Sequence, residues 1–413
     1  MASSTHGRPE ATGLVDALVV GAGPGGSATA ALLARAGHRV LLLDRAAFPR
    51  DKACSEYMGP ETVRLLDQLG VVPALDAAGA PLEGTAVVGS RGSRLHGRFA
   101  LAGPPPFRPT GLSVARRILD HALVNAARAA GAALWERAAV EELLYDGGAV
   151  AGVVVRDGDG GRHAIRARLT VGADGLRSLV ARRIGRRRHG RLRRLAFVAH
   201  VDGVPDMAGS AELHVGTRGY VGLNRIGGDR TNVAVVVPAA RGVDARGRLE
   251  TFFLETLDGF PGVAGRVAAG RLVRKVLTTG PFAAWSGRVV ADGAALVGDA
   301  ADFFDPFTGE GIYSALFGAS LLADAAGAAL ARSGPVTAAG LAGYRRARRR
   351  AFAGKWAVER LIGYGMLFPA LFDRAVGRLG RRPGMADTLV GVTGDFVPAG
   401  RVLNPVFLAR MLV

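Results

Sequence analysis

The 413-residue sequence contains a single cysteine, Cys54, and only three lysines among its 53 basic residues. A lone cysteine cannot form an intramolecular disulfide, which excludes the small secreted domains that depend on disulfides. No combination of basic start, apolar run and small-residue cleavage site opens the chain, so we expect a cytoplasmic protein. The eight histidines show no metal-ligand spacing, and a metal centre is therefore not expected.

Long uninterrupted apolar segments are also missing. Residues 17–34 carry no charge, but glycines and a proline interrupt them in the middle. The apolar run 361–372 is too short to cross a bilayer and contains Pro369. We therefore expect no transmembrane segment, while peripheral contact with a membrane is compatible with the sequence.

Acidic residues are scarce: the sequence contains 35 acidic and 53 basic side chains, which gives a net charge of +18. Because nearly all the basic residues are arginines in an Ala- and Gly-rich chain, a genomic composition bias explains the excess, and no nucleic-acid partner is expected. Arginines cluster in 182–194 and 345–350. We interpret both clusters as solvated faces, with docking of an acidic carrier protein or lipid headgroups as the alternative.

The chain is long and apolar enough for two or three domains. An apolar run at 15–20, a helical pattern at 24–36 and a second run at 39–43 predict a strand, helix and strand, the start of a parallel sheet. Strand-like segments dominate 195–280 and predict a mostly antiparallel second sheet, whereas the C-terminal residues are helical in pattern. The first 13 residues lack periodicity and are predicted to be a loose tail.

A glycine-rich loop follows the first predicted strand. Gly21, Gly23 and Gly26 have the spacing G-x-G-x-x-G, and Asp44 ends the second predicted strand. The glycines permit a tight turn, close approach to a pyrophosphate and close packing of helix on strand, while an acid at the second strand end binds ribose hydroxyls. The alternative, a simple glycine-rich turn, does not account for the strand, helix and acid in register. The pattern predicts a dinucleotide site.

Two later motifs also follow predicted strands: Asp174 and Gly175, and a segment from Gly298 and Asp299 to Gly311. With the glycine loop, they make the chain resemble the superfamily of FAD-dependent hydroxylases and geranylgeranyl reductases, which has the para-hydroxybenzoate hydroxylase-type fold. The resemblance runs from about residue 15 to the C-terminus and implies FAD as cofactor.

The resemblance implies a fold class and a domain division. We expect an α/β protein with a Rossmann-like FAD-binding domain of the glutathione reductase type, a mostly antiparallel substrate domain and C-terminal helices. The predicted boundaries are 14–82, 107–180 and 285–344 for the FAD-binding domain, 83–106 and 181–284 for the substrate domain, and 345–413 for the helical region.

The third motif has a physical interpretation that agrees with the resemblance. Asp299 at a strand end is placed to hold sugar hydroxyls, which in the family belong to the ribityl chain; the alternative is a helix N-cap. Gly309 and Gly311 expose backbone amides where a helix begins, and Ile312 follows them, so that negative charge on a reduced flavin would be stabilised. The resemblance places Pro306 in the wall of the reaction chamber.

Further residues are assigned through the resemblance. Segment 48–60 is similar to the reductase branch, with Ser55 where that branch has glycine. The resemblance places Arg50 and Lys52 near phosphate charge and Cys54 and Glu56 near the flavin ring; a solvated loop is the alternative. Arg116 matches a position beside the FAD phosphates, although a solvated helix arginine is the alternative. The Asp174–Gly175 loop would bridge the flavin pyrophosphate and the nicotinamide, or form only a type I turn.

The resemblance and the motifs together give two sets of expected site residues. The expected catalytic residues are Pro306, Gly309, Gly311, Ile312, Cys54 and Tyr220. The expected cofactor-binding residues are Gly21, Gly23, Gly26, Asp44, Arg45, Arg50, Lys52, Arg116, Asp174, Gly175, Gly298, Asp299, Gly311 and Ile312.

The sequence ranks three functions. We expect first an NADH- or NADPH-dependent monooxygenase that hydroxylates or epoxidises a large apolar secondary metabolite, free or carrier-bound, through a flavin C4a-hydroperoxide. Tyr220 matches the reductase branch, but Trp, Phe and Pro expected after it are missing, so reduction of an alkene is the second hypothesis. A non-redox cyclase or binding protein that contains FAD is the third. The tryptophan-rich halogenase signature is absent, which disfavours halogenation.

Overall fold

The computed structural model describes residues 14–185 and 187–412. The predicted loose tail 1–13 lies outside these residues, as does Arg186 of the first arginine cluster. The first strand, helix and strand form where the apolar pattern predicts them, and all four residues of the second strand are buried. A strand buried on both faces is typical of a parallel sheet covered by helices.

The strands are short, and most belong to one of two large sheets. In chain order they are β1 (Val15–Val20), β2 (Val40–Leu43), β3 (Tyr57–Met58), β4 (Ala80–Leu82), β5 (Gly84–Val88), β6 (Arg94–Arg98), β7 (Gly111–Ser113), β8 (Ala133–Trp135), β9 (Ala139–Asp146), β10 (Ala149–Arg156), β11 (Arg162–Gly172), β12 (Arg187–His189), β13 (Arg194–Asp202), β14 (Ala211–Gly216), β15 (Gly219–Arg225), β16 (Arg230–Pro238), β17 (Arg271–Leu272), β18 (Leu277–Thr279), β19 (Ala284–Ser286), β20 (Val290–Ala291), β21 (Ala294–Leu296) and β22 (Asp302–Phe303).

The helices cover the first sheet and form the C-terminal region. They are α1 (Pro24–Arg35), α2 (Pro60–Gln68), α3 (Val72–Asp76), α4 (Arg116–Ala129), α5 (Leu179–Ile184), α6 (Leu249–Leu257), α7 (Pro261–Ala268), α8 (Gly311–Leu330), α9 (Ala342–Gly365), α10 (Pro369–Gly380), α11 (Pro383–Thr393) and α12 (Pro405–Leu412).

The first sheet has the order β20-β21-β11-β1-β2-β8, and its central pairs are parallel. The long strand β11 is parallel to β1 at its carboxyl end and antiparallel to β10 at its start, which adds the β9–β10 ribbon to the sheet. Helices α1, α4 and α8 bury their apolar sides against this sheet.

The second sheet has the order β17-β13-β16-β15-β14-β5-β6 and is antiparallel except between β14 and β5. Helices α6 and α7 pack on one of its faces, while the other face points toward the first sheet and the C-terminal helices. The expected fold class, a Rossmann-like α/β domain with a mostly antiparallel second sheet and C-terminal helices, is confirmed. The exact domain boundaries stay a prediction.

Among the described residues, α8 is the helix that is long and apolar enough to cross a membrane. Its side chains at Leu316, Ala319 and Leu322 are buried in the core against α1. The length and composition of α8 therefore reflect a central helix of the folded domain. The apolar run 361–372 is not one helix, because α9 ends at Gly365 and α10 begins at Pro369.

Candidate functional site

The three sequence motifs meet at one edge of the first sheet. Strands β1, β11 and β21 are parallel neighbours, with Val20 paired with Gly172 and Gly172 paired with Leu296. Their carboxyl ends therefore lie side by side, where ligands bind in open parallel sheets. A cleft of about 1090 Å³ extends from this edge to the inner face of the second sheet.

The glycine loop cannot carry side chains at two of its positions. A Cβ on Gly26 would lie 1.8 Å from the carbonyl oxygen of Gly21, and Gly21 itself has a φ of +98°. Asp44 holds the loop from the next strand, because its carboxylate accepts hydrogen bonds from the amides of Ala22 and Ala46, each at 2.8 Å. The loop leads into α1, whose first turn contains no acidic residue, so its N-terminal amides are suited to an anion.

Positive charge gathers beside this loop. Arg116 donates two hydrogen bonds of 2.8 Å to Asp120, and Arg50 donates another of 2.8 Å to the same carboxylate. Asp120 is completely buried. Two guanidinium groups thus share one carboxylate close to Gly23. Burial and the charge of Arg116 lower the pKa of the neighbouring Lys52 ammonium.

The start of α8 forms the far side of the cleft. Gly309 and Gly311 are constrained by aromatic rings, since an added Cβ would lie 2.4 Å from the Tyr57 ring and 2.9 Å from the Phe303 ring, respectively. Asp299 also lines the cleft. Burial raises the pKa of its carboxyl group, which the charges of Lys52 and Arg116 oppose.

A buried ion cluster of Lys355, Glu310 and Asp395 packs against the start of α8. Lys355 Nζ lies 3.1 Å from Glu310 Oε2, forms an ion pair with Asp395 and lies 4.4 Å from the centre of the Tyr313 ring. Burial raises the pKa of Glu310, and the Lys355 charge opposes that rise. The cluster links α9 to the residue before Gly311 and so fixes the position of the exposed amides.

Cys54 lies in the wall of the cleft, in a loop held by buried polar groups. The amide of Glu56 donates to Cys54 Sγ at 3.3 Å, and Asn232 donates to the carbonyl of Cys54 at 2.8 Å. Glu56 is completely buried with a φ of +59°. Its carboxylate accepts from the Arg116 amide and lies 2.8 Å from His200 Nε2. This network fixes the thiol relative to α4.

Tyr220 lines the cleft from the second sheet, but its hydroxyl is already engaged. It donates to Asp305 Oδ1 at 2.7 Å, and Arg194 donates to Asp305 Oδ2 at 2.6 Å. Burial and the Asp305 charge raise the pKa of Tyr220 well above its ordinary value. The arrangement fixes the residue before Pro306 and makes Tyr220 a poor proton donor.

A second chamber of about 670 Å³ lies beyond Pro306 and Gly309. It shares Ser55, Gly222 and Ala234 with the cleft. Its walls come from the inner face of the second sheet and from α9 and α11, and they are mostly apolar. The two cavities are therefore neighbours that meet where the cofactor cleft ends.

The structure brings most of the expected site residues together. Those lining the cleft are Gly23, Lys52, Cys54, Arg116, Gly175, Tyr220, Gly298, Asp299, Pro306, Gly309, Gly311 and Ile312. Gly21 and Gly26 shape the loop behind it.

The other four expected residues contact the protein or solvent. Asp44 and Arg50 bond as described above, and Arg45 is exposed. Asp174 accepts hydrogen bonds from the amides of Leu179 and Val180 at the start of α5. One of its oxygens, Oδ1, is buried without a hydrogen-bond partner. The roles of all the expected site residues, these four included, stay predictions.

Sequence reasoning missed Asp120 and Asp305, which hold other site residues in position. Glu56 was expected near the flavin ring, and its carboxylate contacts the Arg116 amide and His200. The ion pair of Asp120 with Arg116 could have been predicted, because Asp120 lies four residues after Arg116 on a predicted helix and such side chains are neighbours. The interpretation of the arginine clusters as solvated faces is wrong for Arg194 and Arg348, which are buried. Arg348 pairs with Asp302.

FAD fits these residues. The glycine loop leaves space beside its backbone that a side chain would fill, and the Lys52 and Arg116 side chains in the cleft wall supply positive charge that suits a pyrophosphate. No cluster of His, Cys, Asp and Glu that could hold a metal ion occurs in the described residues.

Comparison with known proteins agrees with this assignment. The chain is 32% identical to the menaquinone reductase of Mycolicibacterium smegmatis over 317 residues, 72% of each chain. It is 29% identical to the digeranylgeranylglycerophospholipid reductase of Methanospirillum hungatei over 371 residues, 87% of this chain and 86% of that protein. The myxobacterial chondrochloren halogenase CndH superposes with a TM-score of 0.78 at 26% identity, covering 86% of this chain and 83% of its own. Residues 14–358 match the FAD binding domain family, and the chain therefore belongs to this family of FAD-dependent oxidoreductases.

Proposed function

We propose that this protein reduces a carbon–carbon double bond in a long apolar, isoprenoid-like substrate, with NADH or NADPH as electron donor. The observation that carries the proposal is the Cys54 thiol in the wall of the cofactor cleft, next to an apolar chamber. The two relatives named above are reductases by name, one a menaquinone reductase and one a digeranylgeranylglycerophospholipid reductase. Their names support reduction over the other hypotheses.

The residues that would hold FAD follow from the cleft. The amides at the start of α1, with Arg50, Lys52 and Arg116, would hold the pyrophosphate, and Asp44 the ribose. Asp299 would hold the ribityl chain, and the amides of Gly311 and Ile312 would face the pyrimidine side of the ring. When bound, FAD accepts a hydride from reduced nicotinamide and supplies it to the substrate.

Cys54 would complete the addition of hydrogen across the double bond. One carbon receives a hydride, and the thiol of Cys54 donates a proton to the other, so that the C=C bond becomes a CH–CH bond. Arg116 stabilises the thiolate that remains: burial alone would lower the pKa of Arg116, but the charge of Asp120 and the Cys54 sulfur raise it above its ordinary value. Solvent then returns the proton to the sulfur.

The same thiol argues against oxygen activation. Enzymes that activate oxygen expose their sites to hydrogen peroxide, which oxidises an accessible thiolate to sulfenic acid and beyond. Cys54 lines the cleft, so peroxide formed there would reach its sulfur on each turnover. Reduction makes use of this residue, whereas oxygenation endangers it.

Anaerobic turnover tests the proposal. The FAD-loaded protein, with NADPH or NADH and either menaquinone or a digeranylgeranyl phospholipid, is expected to yield a product heavier by two hydrogen atoms. Cys54→Ser should lower this turnover about a hundredfold or more, because a positioned proton donor contributes roughly that much. Reduction of bound FAD by nicotinamide should be unchanged in the variant, which separates the two half-reactions. Full activity of the variant would contradict the role of Cys54.

Oxygenation is the second candidate function, supported by the resemblance of the FAD motifs to those of hydroxylases. It requires molecular oxygen, so the two functions differ in one measurement. Substrate consumption that stops when oxygen is removed, with an oxygen atom gained in the product, would favour oxygenation and overturn reduction.

A further inference from the structure

A cluster of large apolar side chains is exposed around the junction of α9 and α10. It consists of Leu361, Tyr364, Leu367, Phe368 and Leu371, whose exposed fractions run from 41% to 62%. We call this the outer apolar face. Side chains of this size are usually buried, and an exposed patch of them marks a surface that contacts something other than water.

Basic residues surround the outer apolar face. Arg360 and Arg374 are exposed on the same two helices. Arg191 and Arg193 are also exposed and flank Leu192, whose side chain lies against Gly363 of α9. Apolar residues bordered by arginines form the pattern of a surface that sits at the boundary between lipid headgroups and acyl chains.

Acidic residues that would repel an anionic surface are turned inward. Between residues 356 and 382 the sequence contains only Glu359 and Asp373. Asp373 is buried and accepts hydrogen bonds from Ser90, Ser93 and the Arg91 amide. Burial and the neighbouring Glu310 raise the pKa of Glu359 well above its ordinary value. The outer face is thus basic and apolar, with no exposed acidic side chain in this stretch.

The outer apolar face adjoins the second chamber. Ile362, between Leu361 and Tyr364 in the same helix, lines that chamber. Phe372, next to Leu371, packs edge-on against Phe307 of the chamber wall, with ring centres 6.3 Å apart. An apolar chain that left a bilayer at this face would therefore have a short way to the chamber.

We propose that the outer apolar face docks on an anionic phospholipid bilayer, with Leu367, Phe368 and Leu371 inserted among the acyl chains and the surrounding arginines on the headgroups. This interaction surface does not depend on the redox reaction. Basic residues near an anionic membrane are attracted to its headgroups, and aromatic and leucine side chains are stabilised when they leave water for the acyl region. Charge and apolar insertion are both needed, because either alone gives weak and reversible binding.

Vesicle flotation of the FAD-loaded protein tests the docking surface. The wild type should float with vesicles of phosphatidylcholine and phosphatidylglycerol, far less with pure phosphatidylcholine, and less at high salt because salt screens the arginines. Phe368→Glu should weaken binding to the anionic vesicles at least tenfold. Absorbance of bound FAD verifies that the variant is folded.

Leu254→Glu is the matched control. Leu254 is 45% exposed on α6, which packs on the opposite face of the second sheet, so the same change there should leave vesicle binding intact. The proposal is overturned if wild type does not bind anionic vesicles, if Phe368→Glu binds as wild type does, or if both glutamate variants lose binding equally. It is also overturned if sedimentation shows that Phe368→Glu converts a dimer to a monomer without changing vesicle binding, since the face would then contact a second copy.

Discussion

At the residue scale, the site depends on contacts too short to admit any larger side chain. Gly26→Ala would place a methyl group 1.8 Å from the Gly21 carbonyl oxygen, which forces the loop away from the start of α1. We expect the variant to fold and to bind FAD at least a hundredfold more weakly, measured by fluorescence quenching of added FAD. Gly25→Ala is the neighbouring control. Its Cβ would meet Ala315 at 3.3 Å or more, and it should lose much less affinity.

Glu212 gives a second residue-scale prediction, on stability against pH. Its carboxylate accepts two hydrogen bonds from Arg266 and lies 2.8 Å from His214 Nε2. Burial would raise the pKa of Glu212, but these partners lower it to about 2. The folded pKa lies below the unfolded value of about 4.3, so the stabilisation is complete above that value and is lost as the pH falls toward 2.

Glu212→Gln should therefore reduce the free energy of unfolding by about 2 kcal/mol at pH 6, with the difference from wild type shrinking as the pH falls from about 5 toward 2. Urea unfolding at a series of pH values measures it. Asp229→Asn, at an exposed carboxylate 4.0 Å from Arg225, should change stability by less than about 0.5 kcal/mol. If Glu212→Gln lowers the free energy of unfolding by the same amount at every pH, the charge of Glu212 is not the source of the stabilisation.

At the element scale, the effect of replacing a glycine by alanine depends on whether the glycine lies in a helix or in a turn with a positive φ. Gly265 lies inside α7 with no atom within 4 Å of an added Cβ. Gly265→Ala should therefore raise the free energy of unfolding by about 0.5–1 kcal/mol through helix propensity. Gly228 also has open space but a φ of +56°, and Gly228→Ala should lower stability by about 1 kcal/mol. Chemical denaturation of both variants checks this contrast, and equal effects would contradict it.

The sequence predicts elements well where local pattern and tertiary role agree. The β1–α1–β2 unit has apolar runs, a glycine loop and a strand-end acid, all of which act within 30 residues, and the structure forms it as expected. The helices α3 and α7 were missed because they are too brief to show a clear period, and α2 was missed although its nine residues are amphipathic. Contacts between distant segments, such as Glu56 with His200 or Tyr220 with Asp305, depend on how sheets are placed against each other and leave no local signal.

The arginines illustrate the same limit. Within two clusters of similar composition, Arg194 and Arg348 are buried partners of carboxylates, whereas Arg191 and Arg345 are exposed. Nothing in the local sequence separates these residues. The net charge of the chain therefore does not show which arginines of either cluster are buried; only the folded structure does.

At the scale of the whole molecule, FAD would lie between the edge of the first sheet and the inner face of the second. A ligand that binds only the folded state adds to its stability, by about 2.7 kcal/mol at a hundred times its Kd. Apoprotein titrated with FAD should accordingly unfold at higher urea as FAD is added. Gly26→Ala, with its Kd raised at least a hundredfold, should gain no more than about 0.4 kcal/mol at the same FAD concentration. A wild-type protein whose unfolding is insensitive to FAD would argue against a cofactor that contacts both sheets.

One turn of α9 serves two surfaces. Ile362 points into the second chamber while Leu361 and Tyr364 point outward. Because a helical turn moves as a unit, a displacement that widens or narrows the chamber wall also moves the outward side chains. Under the proposed function and the proposed docking surface, a mutation in this turn that changes which chain lengths the chamber accepts is therefore expected to change vesicle binding as well.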